Sequence, residues 1–157
     1  SAVNYSIIRF ADVLLWAAEC EVEVGSLNRA RELVNYVRAR AMNGRYVPVS
    51  YDYEGSYYAS ANYYGGLYNN AWTDKDQARD AVRFERRLEL GLEGHRFFDL
   101  VRWGIAADYI NKYLQEEKPR LPNDLNGVSF TAGKTEYFPI PQQEIDLDAN
   151  LKQNPGY

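Results

Sequence analysis

Three glutamates spaced four residues apart, Glu85, Glu89 and Glu93, come closest to a pattern that could perform chemistry. Paired carboxylates can act as general acid and base, as they do in glycoside hydrolysis. On a helix, however, this spacing crowds like charges on neighbouring turns, and arginine is the residue best suited to offset them. We therefore interpret Glu85 and Glu89 as members of a structural ion-pair cluster that locks helices together. The predicted cations of this cluster are Arg9, Arg38, Arg40 and Arg96.

A tyrosine-rich segment, residues 43–72, interrupts the helical pattern and holds eight of the 14 tyrosines; we call it the insert. A connection of this length is uncommon and is usually functional or disordered, and its aromatic content argues against simple disorder. Three interpretations stay open: contact with a glycan, contact with a protein partner, and an ordered loop packed by its own rings. Under either functional interpretation, the predicted contacts are Tyr57, Tyr58, Tyr63, Tyr64, Tyr68 and Trp72.

The sequence offers no set of residues for a metal site or a catalytic triad. His95 is the only histidine and Cys20 the only cysteine, so neither a second imidazole nor a cysteine-based zinc site is possible. Asp146 and Asp148 imitate the start of a calcium loop, but Leu151 stands where that loop requires glycine. Gly-rich phosphate loops and H-E-x-x-H motifs do not occur. We therefore predict no enzyme, no cofactor and no metal.

Charge and composition exclude two further classes of function. Eighteen Lys+Arg against 22 Asp+Glu give a formal net charge of -4, which leaves no basic surplus for a nucleic-acid phosphate backbone. The longest apolar stretch, residues 13–18, is far short of the ~20 residues that span a bilayer. A hydrophobic content of 46% nevertheless suffices for a packed core.

The predicted helices that position these residues begin with a hairpin. Tyr5 to Val24 has the pattern of a helix that Gly25 ends, and Ser26 suits the N-cap of a second helix with an apolar face extending to Ala41. Two helices joined by so short a turn form an antiparallel hairpin that resembles a tetratricopeptide-type unit.

Beyond the insert, Thr73 and Asp76 form a plausible capping pair for a third helix that runs to about Leu92. Its predicted apolar face consists of Ala78, Ala81, Glu85, Leu88 and Leu92. Residues 95–114 indicate further helix, and Gly127 to Pro141 indicates an extended arm or a β-hairpin. The predicted fold class is mainly α: a tetratricopeptide-like helical hairpin and further helices, with long irregular loops and a short extended or β-hairpin tail.

Four regions, in the same order, resemble signatures of the SusD/RagB family. Residues 8–19, IRFADVLLWAAE, resemble the family's "IRYADVLLMYAEA" helix, and residues 35–41 resemble its "N-x-V-R-x-R-A" helix end. Residues 85–104 resemble its "ERRxELxxEGxRxxDLxRWG" signature. Residues 137–141 and 153–157 resemble its "YxxPIP" and terminal "QNPGY" pieces.

The resemblance implies that residues 1–157 form the C-terminal helical domain of a longer outer-membrane lipoprotein. Its lipid anchor would lie in a preceding part of the parent protein, on the cell-surface face of the membrane. The resemblance also implies a noncatalytic subunit that binds a polysaccharide, an oligosaccharide or another nutrient and delivers it to a TonB-dependent SusC-like porin. The alternative is a structural helical interaction module whose insert contacts the transporter and no glycan.

Overall fold

A computed structural model of the chain describes residues 7–43, 48–51, 57–59 and 65–157. Its elements are α1 (Phe10–Val24), α2 (Leu27–Met42), β1 (Pro48–Tyr51), β2 (Tyr57–Ala59), α3 (Lys75–Glu89), α4 (His95–Arg102), α5 (Ala106–Glu117), α6 (Pro122–Leu125) and α7 (Gln142–Leu147). The predicted mainly α fold is confirmed. The chain divides into two compact units, Ser1–Gly91 and Leu92–Tyr157, and each has a hydrophobic core.

The first unit is built on the hairpin of α1 and α2. Gly25 closes α1 by donating its backbone N–H to the carbonyl of Glu21 at 3.0 Å. The Ser26 hydroxyl then caps α2 by accepting the backbone N–H of Arg29 at 3.4 Å. The helical hairpin predicted at this turn is therefore confirmed. The predicted start of α1 at Tyr5 lies outside the described residues, and the helix begins at Phe10.

The core of the first unit is formed by side chains from α1, α2 and α3. These residues are Ala11, Leu15, Ala18, Val22, Ala30, Leu33, Val34, Val37, Ala78 and Val82. Alanine occupies four of the ten positions, so the helices can approach closely, because the distance between packed helices depends on the side chains at the contact. Each buried Leu or Val contributes about 1.5–3 kcal/mol relative to an exposed one.

Helix α3 differs from its prediction at both ends and in its buried face. Asp74, and not Thr73, is the N-cap, and its carboxylate accepts the backbone N–H of Gln77 at 2.9 Å. The helix ends at Glu89, three residues before the predicted end, and Leu88 and Leu92 of the predicted apolar face are exposed. The buried positions are Ala78, Val82, Glu85 and Arg86. The predicted face was therefore wrong at Leu88 and Leu92.

Strands β1 and β2 form a two-stranded antiparallel hairpin inside the insert. Tyr51 lies opposite Tyr57, Ser50 lies opposite Tyr58, and the register shifts between Pro48 and Ser50. The described part of the insert thus includes a short β-hairpin between α2 and α3 in the sequence.

In the second unit, side-chain amides hold irregular segments against helices or turns. The Asn111 amide accepts the N–H of Phe130 and donates to its carbonyl, both at 2.8 Å, which fixes Phe130 in a core with Leu100 and Ala106. The Gln153 amide makes the same two-way contact with Ile140, at 2.8 and 2.9 Å. These amides supply the hydrogen bonds that a neighbouring strand would otherwise provide.

Residues 127–157 contain turns, extended backbone and α7, and this part of the chain has no strand. Of the two predicted forms of the tail, the structure therefore shows the extended arm. The terminal residues hold it: the Asn154 amide donates to the carbonyl of Phe138 at 2.6 Å, and the Tyr157 hydroxyl donates to that of Tyr137 at 2.9 Å. Among the helices that the structure describes, none is both long and apolar enough to cross a bilayer.

Candidate functional site

The insert returns to the helical unit at Tyr68, where its backbone is tied to α2. The Asn35 amide accepts the N–H of Tyr68 at 2.9 Å and donates to its carbonyl at 3.0 Å. Arg31 donates to the same carbonyl at 2.8 Å, and the Arg38 Nε donates to the carbonyl of Gly66. The carbonyl of Tyr68 therefore accepts two hydrogen bonds from side chains of α2, and its N–H donates one to a side chain of the same helix. This end of the insert is fixed in place by polar contacts.

The aspartate variant of residue 35 tests how firmly this end is held. Asn35→Asp keeps an acceptor for the N–H of Tyr68 but loses the donor and turns a carboxylate toward the carbonyl. We expect the free energy of unfolding to fall by about 1–3 kcal/mol and the Tyr68 amide to exchange faster with solvent. Urea denaturation and hydrogen exchange measure both effects. Asn70→Asp, at an exposed position of the same segment, is the matched control, and an equal loss in both variants would contradict the prediction.

Two of the predicted ligand contacts, Tyr68 and Trp72, lie at this base of the insert. Their rings meet edge to face, with centroids 5.2 Å apart and planes at 73°, and both pack against the core of the first unit. The Arg38 guanidinium lies 4.8 Å from the centroid of the Tyr68 ring. A surface groove of about 470 Å³ runs along residues 67–74 and the start of α3, and both rings line it. The two half-buried aromatic residues therefore join the insert to the core and form one wall of an open groove.

The other four predicted contacts lie further into the insert. Tyr57 and Tyr58 belong to β2, opposite Tyr51 and Ser50. Tyr63 and Tyr64 lie outside the described residues. A role of these four tyrosines in ligand contact stays a prediction.

The predicted ion-pair cluster has its centre at Glu89 and Glu85 of α3. Arg9 reaches the Glu89 carboxylate at 2.8 Å and the Glu89 carbonyl at 2.9 Å. Arg40 reaches both carboxylate oxygens of Glu89 at 2.7 and 2.8 Å, and Arg38 reaches Glu85 at 2.6 Å. The structure thus brings five of the six predicted members together and links α3 to α2 and to the start of α1.

Glu85 is almost fully buried, and its environment disfavours the charged form. Burial raises the pKa of Glu85 above its usual value; the hydrogen bond and the charge of Arg38 lower that pKa, and the nearby charge of Glu89 raises it further. Desolvation therefore outweighs the attraction of a single arginine. Because both acidic side chains are engaged by arginines from other elements, the cluster has the form of a helix-locking network.

The sixth predicted member, Arg96, lies in α4 of the second unit. Its guanidinium carbon is 4.7 Å from the centroid of the Tyr109 ring and 5.7 Å from that of Trp103. The structure thus assigns it a contact with aromatic rings. A second guanidinium, from Arg102, lies 5.0 Å from the Trp103 ring.

A buried ion pair between Asp12 and Arg86 was missing from the sequence prediction. The two side chains are 2.7 Å apart, and their exposed fractions are 0% and 1%. Arg86 also lies over the ring of Trp16, with its guanidinium carbon 5.6 Å from the ring centroid. One signal was available: Asp12 is a lone carboxylate in the strongly apolar segment 10–15, and a buried carboxylate requires a partner. That partner is 74 residues away in sequence, so spacing could not identify it.

The described side chains do not form a group of three or more metal-ligating residues. The first unit is a helical hairpin to which a third helix is fixed by arginine–glutamate pairs. The aromatic insert is held to this helical scaffold at its base. Segments positioned by a rigid framework commonly carry binding or catalytic residues.

Comparison with known proteins identifies the family. The family model described as the SusD family matches residues 1–157, so the chain belongs to this family. SusD-like protein P25 of Formosa agariphila is 34% identical over 158 residues, which cover 98% of this chain and 25% of the relative. The starch-binding protein SusD of Bacteroides thetaiotaomicron is 41% identical over 69 residues, which cover 44% of this chain and 11% of that protein.

The crystal structure of a SusD homolog from Bacteroides thetaiotaomicron shares the fold. It superimposes with a TM-score of 0.69 and 32% sequence identity over 100% of this chain and 28% of that chain. The SusD/RagB resemblance of the sequence is therefore confirmed. Two curated relatives match nearly all of this chain. The chain spans only about a quarter of their length, 25% of one relative and 26% of the other.

Proposed function

We propose that this chain is part of a noncatalytic glycan-binding protein that captures a polysaccharide or oligosaccharide at the cell surface. The observation that carries the proposal is the SusD family match over residues 1–157. A relative with 41% identity over part of the chain is named a starch-binding protein, which supports a glycan as the class of ligand. The ion-pair cluster supports the absence of catalysis, because the carboxylates of Glu85 and Glu89 are paired with arginines.

The insert is the part of this chain that we propose to contact the glycan. Tyrosine suits sugar recognition, since its ring face packs on C–H groups while its hydroxyl forms hydrogen bonds. The proposed contacts are Tyr57, Tyr58, Tyr63 and Tyr64, with Tyr68 and Trp72 at the base. The contacts of Tyr68 and Trp72 reduce the ordering cost of binding at the base, because groups that are already held in place lose less conformational freedom.

Family membership also supports a place for the parent protein in an uptake system. We propose that the parent is anchored by lipid to the outer membrane and passes its ligand to a TonB-dependent SusC-like transporter. Handover to a transporter requires a binding protein that releases its ligand unchanged, which agrees with a noncatalytic role.

Limited proteolysis tests where the glycan binds. Chymotrypsin cleaves after exposed tyrosines, and the insert holds eight of the 14 in the chain. A glycan that binds the insert is expected to slow cleavage within residues 43–72 by several-fold. Cleavage after the exposed Tyr137 of the extended tail, the internal control, should continue at its original rate.

The same experiment separates the two interpretations of the insert. Protection by a glycan alone supports sugar contact. Protection only by a purified SusC-like transporter, with none from any glycan, would contradict sugar contact and favour the structural module whose insert binds the transporter. Equal slowing within the insert and after Tyr137 would show a general effect of the polymer on the protease and would also count against the proposal.

A further inference from the structure

Arg96 in α4 has an unusual set of contacts for an arginine that is not fully exposed. Its guanidinium carbon lies 4.7 Å from the Tyr109 ring centroid and 5.7 Å from that of Trp103, so its contacts are aromatic. Its Nε is buried and has no hydrogen-bond partner among the residues that the structure describes. A buried donor without a partner is costly, and donors of a charged group cost more. Because the buried Nε is closed to solvent while the residue as a whole is half-buried, the N–H groups that can meet an anionic acceptor are those of the two Nη atoms.

Other arginines of the second unit have carboxylate partners. Arg102, which also approaches Trp103, pairs with Asp99 at 3.0 Å, and Arg120 pairs with Glu117 at 2.9 Å. Within the part of the chain that the structure describes, Arg96 has contacts with rings and none with a carboxylate. Stacking on rings uses the faces of the guanidinium plane, whereas its N–H groups lie in the plane. The in-plane fork matches a carboxylate or a sulfate group.

The rings beside Arg96 indicate what carries the anionic group. Tyr109 is 37% exposed, and Tyr113, one helical turn further along α5, is 55% exposed. Exposed tyrosines on one helix face offer ring surfaces for the C–H groups of a sugar, and the neighbouring guanidinium offers a charge-assisted hydrogen bond. This combination fits a sugar that bears a negative charge better than a neutral sugar or a bare anion.

We propose that Arg96, Trp103 and Tyr109 form a subsite for an acidic sugar, with the carboxylate or sulfate group on Arg96 and the sugar ring against Tyr109. That the ligand is a sugar rests on the proposed glycan-binding function. The anion-binding part of the inference rests on the geometry of Arg96 alone. The chain would then discriminate charged from neutral polysaccharides at a place separate in sequence from the insert.

The indole N–H signals of the three tryptophans give a direct readout in the 157-residue chain. Trp103 reports on the proposed subsite, and Trp16, which lies outside both proposed ligand contacts, serves as the internal reference. Titration with sodium glucuronate is expected to shift the Trp103 signal saturably, sodium acetate to shift it more weakly, and glucose to leave it in place. No response of Trp103 to glucuronate, or an equal response in an Arg96→Gln variant, would overturn the inference.

Affinity electrophoresis with polymers extends the test to the proposed ligands. Polygalacturonate and a sulfated galactan separate the carboxylate from the sulfate as the recognised group. Arg96→Gln should weaken retention by the recognised polymer about tenfold or more, as expected for loss of a charge-assisted fork. Arg120→Gln, which removes the same charge from an exposed position of this unit, should change it less than about twofold. Equal losses in both variants would indicate general electrostatics and refute the subsite.

Two further comparisons keep the inference separate from the proposed function. Arg96→Lys keeps the charge and loses the fork, so a folded Lys variant with reduced retention supports the subsite even if the Gln variant unfolds. Full retention of the Lys variant would contradict bidentate binding. If neutral glycans bind through the insert while Trp103 ignores glucuronate, the inference fails alone. If Trp103 responds and the chain binds no polysaccharide, the anion site stands and the glycan-binding proposal fails for this chain.

Discussion

Replacing Asp12 with alanine is expected to lower the free energy of unfolding by about 3–5 kcal/mol, because the change leaves the charge of Arg86 buried without this partner. Arg86 and Asp12 are 2.7 Å apart, and neither side chain is more than 1% exposed. Water cannot replace the lost carboxylate without opening the contact between α1 and α3. Urea denaturation of the parent and of the Asp12→Ala variant measures the difference.

Two variants serve as controls for this prediction. Glu32→Ala breaks an ion pair with Arg29 whose side chains are 45% and 49% exposed, so its expected cost is below about 1 kcal/mol. The double variant Asp12→Ala, Arg86→Met removes both charges and should recover a large part of the loss, because an apolar replacement no longer carries a buried charge. A single variant as stable as the parent, or a double variant no better than the single one, would contradict the central role of this pair.

Replacing Glu85 with alanine is expected to cost about 3 kcal/mol or more, since Arg38 loses a partner at 2.6 Å while its own side chain is only 21% exposed. Glu85→Gln is the informative comparison. Glutamine keeps the volume and an acceptor for Arg38, and it removes the carboxylate charge that burial disfavours, as the raised pKa of Glu85 shows. We therefore expect the Gln variant to lose about 1.5 kcal/mol or less near neutral pH. An alanine variant with an unchanged unfolding midpoint would show that Glu85 does not hold the helices together.

The sign of the pH dependence follows from the raised pKa of Glu85. The folded protein binds this proton more tightly than the unfolded chain does. The stability that protonation of Glu85 contributes is therefore fully present below the usual pKa of 4.5 and is lost as the pH rises through the folded pKa. Glu23 has the opposite sign, because Arg79 and Lys75 lower its pKa to about 2, so its contribution is lost as the pH falls. The difference in free energy of unfolding between the parent and Glu85→Gln isolates the effect of Glu85. This difference should shift in favour of the parent as the pH falls from the folded pKa of Glu85 toward 4.5.

The helical hairpin was predictable because its signals are local. Gly25 and Ser26 mark the turn, and the apolar pattern on both sides has helical spacing. The cap of α3 was misplaced by one residue because Thr73 and Asp74 are both good capping residues, and the choice depends on the backbone path out of the insert. The local sequence therefore predicts that α3 begins in this region but does not determine its first residue.

The buried face of α3 was harder to predict because it contains charges. An apolar pattern favours Leu88 at the interface, whereas the structure buries Arg86 and exposes Leu88. The rotation seen in the structure pairs the buried Arg86 with Asp12 of α1, and a buried charge requires such a partner. A pair formed between distant segments leaves no periodic signal. The same reasoning explains why charge complementarity grouped Arg9, Arg38 and Arg40 with the glutamates but could not identify the aromatic contacts of Arg96.

The tail and the insert show how far composition leads. Alternating, proline-bounded sequence is compatible with a strand or an extended arm, and the amide of Gln153 decides for the arm by bonding both backbone groups of Ile140. In the insert, the clustered tyrosines argued against simple disorder, and the contacts of Asn35 with Tyr68 show how one end of the insert is fixed. Which tyrosines contact a ligand depends on the shape and chemistry of that ligand, and the sequence pattern carries no information about the ligand.

Affinity electrophoresis through a panel of dissolved neutral and acidic polysaccharides tests the central claim, that the insert binds glycan. The insert variant carries alanine at Tyr57, Tyr58, Tyr63 and Tyr64 and keeps the core-packed Tyr68 and Trp72. The control variant carries alanine at Tyr36 and Tyr137, two exposed tyrosines outside the insert and outside the proposed acidic-sugar subsite. We predict that at least one polysaccharide retards the parent and the control variant and leaves the folded insert variant unretarded. Equal retardation of all three proteins, or no retardation of the parent by any polysaccharide, would contradict glycan binding by the insert.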